Sequence, residues 1–175
     1  MIKVFTDAHK LREEIQKQVD IKTALTNGCF DVLHEGHEKY LKDAKSRADI
    51  LILLLQSDEM IKQRKGAGRP IFNVNERINQ LSDIEGYKNT VDYILVVNNA
   101  KDLHASINEI HPDILIASKA TENDETGPET MKELFDKKMQ VIILEPKSKI
   151  HSSDIIREKR LRPIKNALKS EIKLK

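Results

Sequence analysis

Two histidines, His34 and His37, stand three residues apart in the stretch "TNGCFDVLHEGHEKYL" (26–41). Imidazoles at that spacing on one helical turn point the same way, and both can donate hydrogen bonds to phosphate oxygens. Asn27-Gly28 lets the chain turn sharply at the end of an apolar run, and Gly36 leaves the first helical turn without a side chain. The unpaired N–H groups and dipole of a helix start favour anions. The pattern is a phosphate cradle made without a Walker sequence. No G-x-x-x-x-G-K-[ST] occurs, and "GAGRP" does not fit G-x-G-x-x-G. Zinc is the competing chemistry, because "HEGHE" approximates His-Glu-x-x-His. The second histidine would have to be residue 38, however, which is Glu38, and no Cys or His cluster supplies further ligands. No metal ligand is assigned. The bland alternative is a pair of surface histidines near a helix start, and only the strand–turn–helix setting lifts the reading above it.

The elements that must position this turn are legible from hydrophobic patterning. A helix is expected over Asp7–Val19, with Leu11, Ile15 and Val19 at steps of four. "TALTNG" reads as a short strand, and Gly36–Arg47 as a helix with Tyr40, Leu41 and Ala44 on one face. "ILILLLQ" (50–56) is apolar throughout, as a central parallel strand covered on both faces would be. Further helices are expected over Asn75–Ile84, Ala100–Ile110, Glu129–Lys138 and Ser152–Lys159, with strands at "DYILVV", "DILIA" and "VIILE". Alternation of this kind predicts an α/β, Rossmann-like parallel sheet with helices on both faces. Two long loops, Ser57–Val74 and Ser118–Pro128, each follow a strand, at the edge where such sheets bind ligands.

A chain of 175 residues suits one domain with its own core. The expected division is a domain over 1–160 and a basic tail over 161–175. That tail holds five Lys or Arg against one Glu, and the remainder carries 25 basic and 27 acidic side chains. A near-neutral body lacks the basic face of a nucleic-acid binder, so no nucleic-acid partner is expected. No apolar run approaches the roughly 20 residues that span a bilayer. The N-terminal residues carry charge too early for a signal peptide. The single cysteine, Cys29, fits a reducing compartment, so a cytoplasmic protein without membrane insertion is expected. Cys29 itself reads as a packed thiol, with no His or Asn constellation to activate it.

"GCFDVLHEGH" resembles the signature of the cytidylyltransferase-like nucleotidyltransferase superfamily, His-x-Gly-His after a strand. "SDEMIKQRKGAGRPIFNVNERINQL", "VDYIL", "PDILI" and "HSSDIIRE" are similar to its later segments in the same order, so the likeness covers roughly residues 1 to 160. Within it, "TNGCFD", "LREE" and "KGAGRPI" resemble the heptose 1-phosphate adenylyltransferases, which make ADP-heptose for lipopolysaccharide. The resemblance implies transfer of AMP from ATP to a phosphorylated sugar, with release of pyrophosphate. Magnesium is delivered with the triphosphate, and many members are homodimers. His34, His37 and Lys65 are then the catalytic set. Gly28, Cys29, Phe30, Gly36, Arg69, Ser152 and Ser153 face the nucleotide and its phosphates, with Lys62 and Arg64 as lesser contacts. Asp31, Arg77 and Asp92 face the acceptor. Plainer readings stand beside several of these: Asp31 and Asp92 as turn residues, Arg77 as half of an i,i+4 surface pair, and the serines as a helix N-cap.

Two departures bear on substrate. The heptose enzymes usually follow the fourth strand with Lys-Gly-Gly-Asp, where this chain has "ASKATENDETGPET". The C-terminal motif begins "HSSD", placing His151 and Asp154 where the superfamily has small hydroxyl residues. Glycerol-3-phosphate cytidylyltransferase and FAD synthetase-type adenylyltransferase share the scaffold and remain alternatives, with CTP replacing ATP in the first. A nucleotide-binding module without turnover is a further one.

Overall fold

A computed structural model describes residues 2–119, 130, 139–145 and 155–157. Its elements are β1 (Lys3–Phe5), α1 (Ala8–Gln16), β2 (Thr23–Gly28), α2 (Glu35–Lys45), β3 (Ile50–Gln56), α3 (Asp58–Lys65), α4 (Val74–Asp83), β4 (Tyr93–Val97), α5 (Ala100–Ile110), β5 (Ile114–Ser118) and β6 (Gln140–Leu144). The strands form one sheet in the order β1-β4-β3-β2-β5-β6. Every neighbouring pair is parallel. This is the expected Rossmann-like architecture.

Continuous apolarity in β3 has the predicted consequence, since all seven of its residues are buried. Leu51, Leu53 and Leu55 join Leu41 and Ala44 of α2 and Leu81 of α4 in one cluster. Ile52 and Leu54 point the other way, into a cluster with Leu11 of α1 and Leu103 and Ile107 of α5. At roughly 25 cal/mol per Å² of apolar surface removed from water, these two layers are the main stabilising term. From β2 the chain steps outward through β3 to β4, then returns to the other side of β2 for β5. The order therefore reverses between β2 and β5. A crevice at the C-terminal ends of those strands is where such sheets take ligands, and β2 ends at Gly28.

Two elements differ from expectation. The segment 57–74 is no open loop, because Asp58–Lys65 is helical. Ser57 caps it by accepting from the Met60 N–H, Asp58 and Glu59 sit in its first turn, and Lys62, Arg64 and Lys65 in its last. That charge order suits the helix dipole. Gly66 closes the helix at φ +89°, a conformation that favours glycine. Strand β1 was also not anticipated; three residues give too short an alternation to read. Of the expected helices over 129–138 and 152–159, only Thr130 and Ile155–Arg157 are described, and they are helical. The rest of both helices, with the serines Ser152 and Ser153, and the tail 161–175 lie outside the described residues. Among the described residues, no helix is long and apolar enough to cross a membrane.

Candidate active site

The strand–turn–helix at residues 26–41 is held from several sides. Thr26 and Tyr40 hydroxyls meet at 2.6 Å, and the Tyr40 hydroxyl also lies 3.3 Å from the Ile116 carbonyl oxygen. These contacts tie α2 to β2 and β5, the strands on either side of the reversal. Gly28 must be glycine for packing, since a Cβ there would come within 2.6 Å of the Phe30 ring. Phe30 itself adopts φ +47°, a left-handed conformation costing about 1 kcal/mol or more in a non-glycine residue. Its ring packs 5.1 Å from that of His37.

His34 is the N-cap of α2, and its Nδ1 accepts from the Gly36 N–H at 3.1 Å. An accepting Nδ1 carries no proton, so the ring proton of His34 sits on Nε2. Gly36 thus gives its N–H to an imidazole, where a bare helix start had been expected. The rings of His34 and His37 stack at 3.9 Å with 28° between their planes. Nδ1 of His37 is buried without a hydrogen-bond partner among the described residues. Burial pushes the His37 pKa down to about 3, and the neighbouring His34 and Lys65 add to the effect. His37 is therefore neutral at physiological pH. The Lys65 charge, at the end of α3, is therefore within electrostatic reach of His37.

This burial predicts an acid limb in stability. Unfolded, His37 titrates near 6.5, and folded, near 3. Between those values the unfolded chain holds the extra proton, so stability present above pH 6.5 is lost as pH falls toward 3. The melting temperature of His37→Ala should fall less steeply between pH 6.5 and 4 than that of the unaltered chain. Parallel slopes in the two proteins would rule this attribution out.

The acceptor-side residues do different work from that expected. Asp31 is 1% exposed. Its carboxylate accepts from the Ile71 N–H at 2.7 Å, the Phe72 N–H at 2.9 Å and Arg69 Nε at 2.5 Å. It fastens segment 69–72 onto the strand end, as the turn reading of Asp31 allowed, and its carboxylate is buried against that segment. Arg69 is half of this pair, and its Nη2 is buried without a partner among the described residues. Asp31→Asn should cost about 3 kcal/mol, or roughly 6–12 °C in melting temperature, by stranding the Arg69 guanidinium. A thermal melt within 2 °C of the unaltered protein would contradict that role.

Arg77 is neither an acceptor ligand nor half of a surface pair. It is wholly buried. It donates to the carbonyl oxygens of Cys29 (2.7 Å), Gln56 (2.8 Å) and Phe72 (3.1 Å) and to the Asp58 carboxylate (2.7 Å). One guanidinium thus joins the ends of β2 and β3, the start of α3 and the segment before α4. Asp92 is corrected more sharply. It accepts from the Leu51 N–H and from Lys45 Nζ, both at 2.7 Å, at the N-terminal edge of the sheet. The histidines follow the C-terminal edge, a strand's length away, so Asp92 is not part of this site.

Cys29 Sγ donates to Gln56 Oε1 at 3.0 Å, and Arg64 Nη1 donates to the same oxygen at 2.7 Å. Gln56 is a buried polar residue that sequence reading did not single out, and its place at the end of an apolar strand was the available signal. Tyr87 was likewise missed. Its hydroxyl donates to the His34 carbonyl oxygen at 2.6 Å from a turn 53 residues away, which no local pattern announces. Among the described residues, no group of three or more His, Cys, Asp or Glu side chains is placed to hold a metal ion.

A parallel sheet whose strand order reverses beside stacked histidines at a helix start defines a class of α/β proteins suited to phosphate groups. The cytidylyltransferase-like family model matches residues 25–159, and the chain belongs to that family of nucleotidyltransferases. Among curated proteins it is similar to the bifunctional protein HldE of Desulfatibacillum aliphaticivorans, at 34% identity over 138 residues, 78% of this chain and 27% of that protein. The bifunctional protein HldE of Helicobacter pylori (strain ATCC 700392 / 26695) is 40% identical over 125 residues, 71% of this chain and 25% of its own length. The chain thus spans about a quarter of the length of the curated relatives it matches. A lipopolysaccharide core biosynthesis protein from Thermoplasma volcanium GSS1 superposes with a TM-score of 0.56 at 26% identity, over 75% of this chain and 99% of that one. Pantoate-beta-alanine ligase from Francisella tularensis shares the fold at a TM-score of 0.59 and 13% identity, over 87% of this chain and 69% of the ligase.

Proposed function

We propose that the chain transfers AMP from ATP to a phosphorylated sugar of the heptose 1-phosphate type and releases pyrophosphate. The observation that carries this is the stacked His34–His37 pair at the start of α2, next to the point where the strand order reverses. "KGAGRPI" and "TNGCFD" favour the heptose acceptor, and a lipopolysaccharide core biosynthesis protein among the structural relatives points the same way.

In this reading an oxygen of the acceptor phosphate attacks the α-phosphorus of ATP in line. The new phosphorus–oxygen bond forms as the bond to the β-phosphate oxygen breaks, and pyrophosphate leaves with that electron pair. No covalent enzyme intermediate is needed, so the protein contributes position and charge. His34 donates from Nε2–H to the triphosphate. His37, kept neutral by burial, enters as a hydrogen-bond donor rather than a fixed cation. Lys65, at the end of α3, supplies the positive charge that a neutral imidazole pair lacks. Arg69 offers its unpartnered Nη2 toward phosphate, and Ser152 and Ser153 are proposed as further phosphate contacts. Gly28, Cys29, Phe30 and Gly36 shape the floor.

Magnesium delivered with the triphosphate would supply neutralisation of phosphate charge. The donor set fits a metal held mainly by phosphates and water, because the Asp31 carboxylate is committed to Arg69 and two N–H groups. A cytoplasmic location and a homodimer accompany this proposal.

The test is pyrophosphate release with magnesium, pairing ATP and CTP each with heptose 1-phosphate, glycerol 3-phosphate and FMN. Turnover with ATP and heptose 1-phosphate alone is expected. Turnover only with CTP, or only with another acceptor, would keep the chemistry and overturn the substrate. Nucleotide binding with no release from any pair would favour the non-catalytic module.

A further inference from the structure

We propose that Tyr87 is a positioning residue for the histidine pair, acting through the backbone carbonyl of His34. Its kinetic readout rests on the function proposed above, but its structural readout does not. The carbonyl oxygen of His34 receives three donors: the His37 N–H at 2.9 Å, the Glu38 N–H at 3.3 Å and the Tyr87 hydroxyl at 2.6 Å. The first two belong to α2 itself and turn with it. The phenol comes from outside the helix and is the shortest of the three.

His34 is the N-cap, with extended backbone at φ −151° and ψ 167°. The peptide plane that follows it sets both the direction of its own side chain and the start of the turn bearing His37. A donor fixed to that plane therefore holds both imidazoles in register, and their 3.9 Å stack leaves little room for independent movement. Tyr87 is itself fixed. It is 4% exposed and belongs to the apolar cluster that contains Phe30, Leu41 and Leu81. Its turn lies hard against α2, since a Cβ on Gly86 would come within 2.6 Å of the Glu38 carboxyl carbon. Burial pushes the phenol pKa up to about 12, so the hydroxyl keeps its proton across the physiological range and remains a donor.

The closing experiment uses Tyr87→Phe in the full chain, which keeps the packed ring and deletes the donor. NMR of the histidine side chains should show the His34 and His37 ring resonances displaced, with those of His9, His104 and His111 unmoved. ATP affinity by calorimetry and kcat for pyrophosphate release should each fall about tenfold. The acceptor KM should stay within about twofold, and the melting temperature within about 4 °C, as loss of one net hydrogen bond allows. Unmoved His34 and His37 resonances, or a fall in melting temperature with ATP affinity intact, would make Tyr87 an ordinary core residue and overturn the proposal. Unaltered protein that neither binds nor turns over ATP would remove the proposed function, while the ring resonances would still decide the role of Tyr87.

Discussion

Arg77→Met is expected to be the most destabilising single change in the site region, lowering stability by about 4 kcal/mol, or roughly 8–16 °C in melting temperature for a chain of this size. Methionine fills much of the same volume, so the cost is electrostatic rather than steric. The substitution strands the carbonyl oxygens of Cys29, Gln56 and Phe72 in the interior and leaves Asp58 without its partner. Each orphaned acceptor costs about 1–3 kcal/mol before relaxation. Arg77→Lys should rescue little, because one ammonium on a flexible stem cannot reach four acceptors set by a planar fork. The acceptor-contact reading of Arg77 makes the opposite forecast. It requires a raised KM for the acceptor with the melting temperature nearly unchanged, and that pairing of results would sink the structural role.

Arg77 also shows where sequence stops being legible. Its partners lie at positions 29, 56, 58 and 72, and nothing in "NERINQL" announces that an arginine there is buried. Only the fold brings those acceptors together. The sheet was easier to read, because a strand covered on both faces must be apolar on both faces, and β3 is. Helix α3 was hidden for the converse reason. Its buried residues, Met60 and Ile61, are adjacent rather than three or four apart, so its charges dominate the pattern. Asp92 is a different kind of miss. In a parallel sheet every strand begins at the edge opposite the ligands, so an acidic residue just before β4 was never placed to meet an acceptor. Motif similarity suggested it, and strand polarity excludes it.

The fold of the histidine turn was legible, because its signals are local, and the turn supports the largest kinetic expectation. His37→Ala should reduce pyrophosphate release by about 10²–10³-fold, the usual effect of deleting one preorganised donor to a charged transition state. The same change should alter the melting temperature by only a few degrees. Removing the ring opens a cavity, but it also removes a buried Nδ1 that has no partner among the described residues, and these effects oppose each other. The two measurements together decide the reading. A large kinetic loss with stability preserved identifies a group held at structural expense for work on the substrate. A kinetic loss that tracks a loss of fold would make His37 a packing residue beneath Phe30. An intact rate would leave catalysis to His34 and Lys65 and remove the stacked pair as the centre of the mechanism.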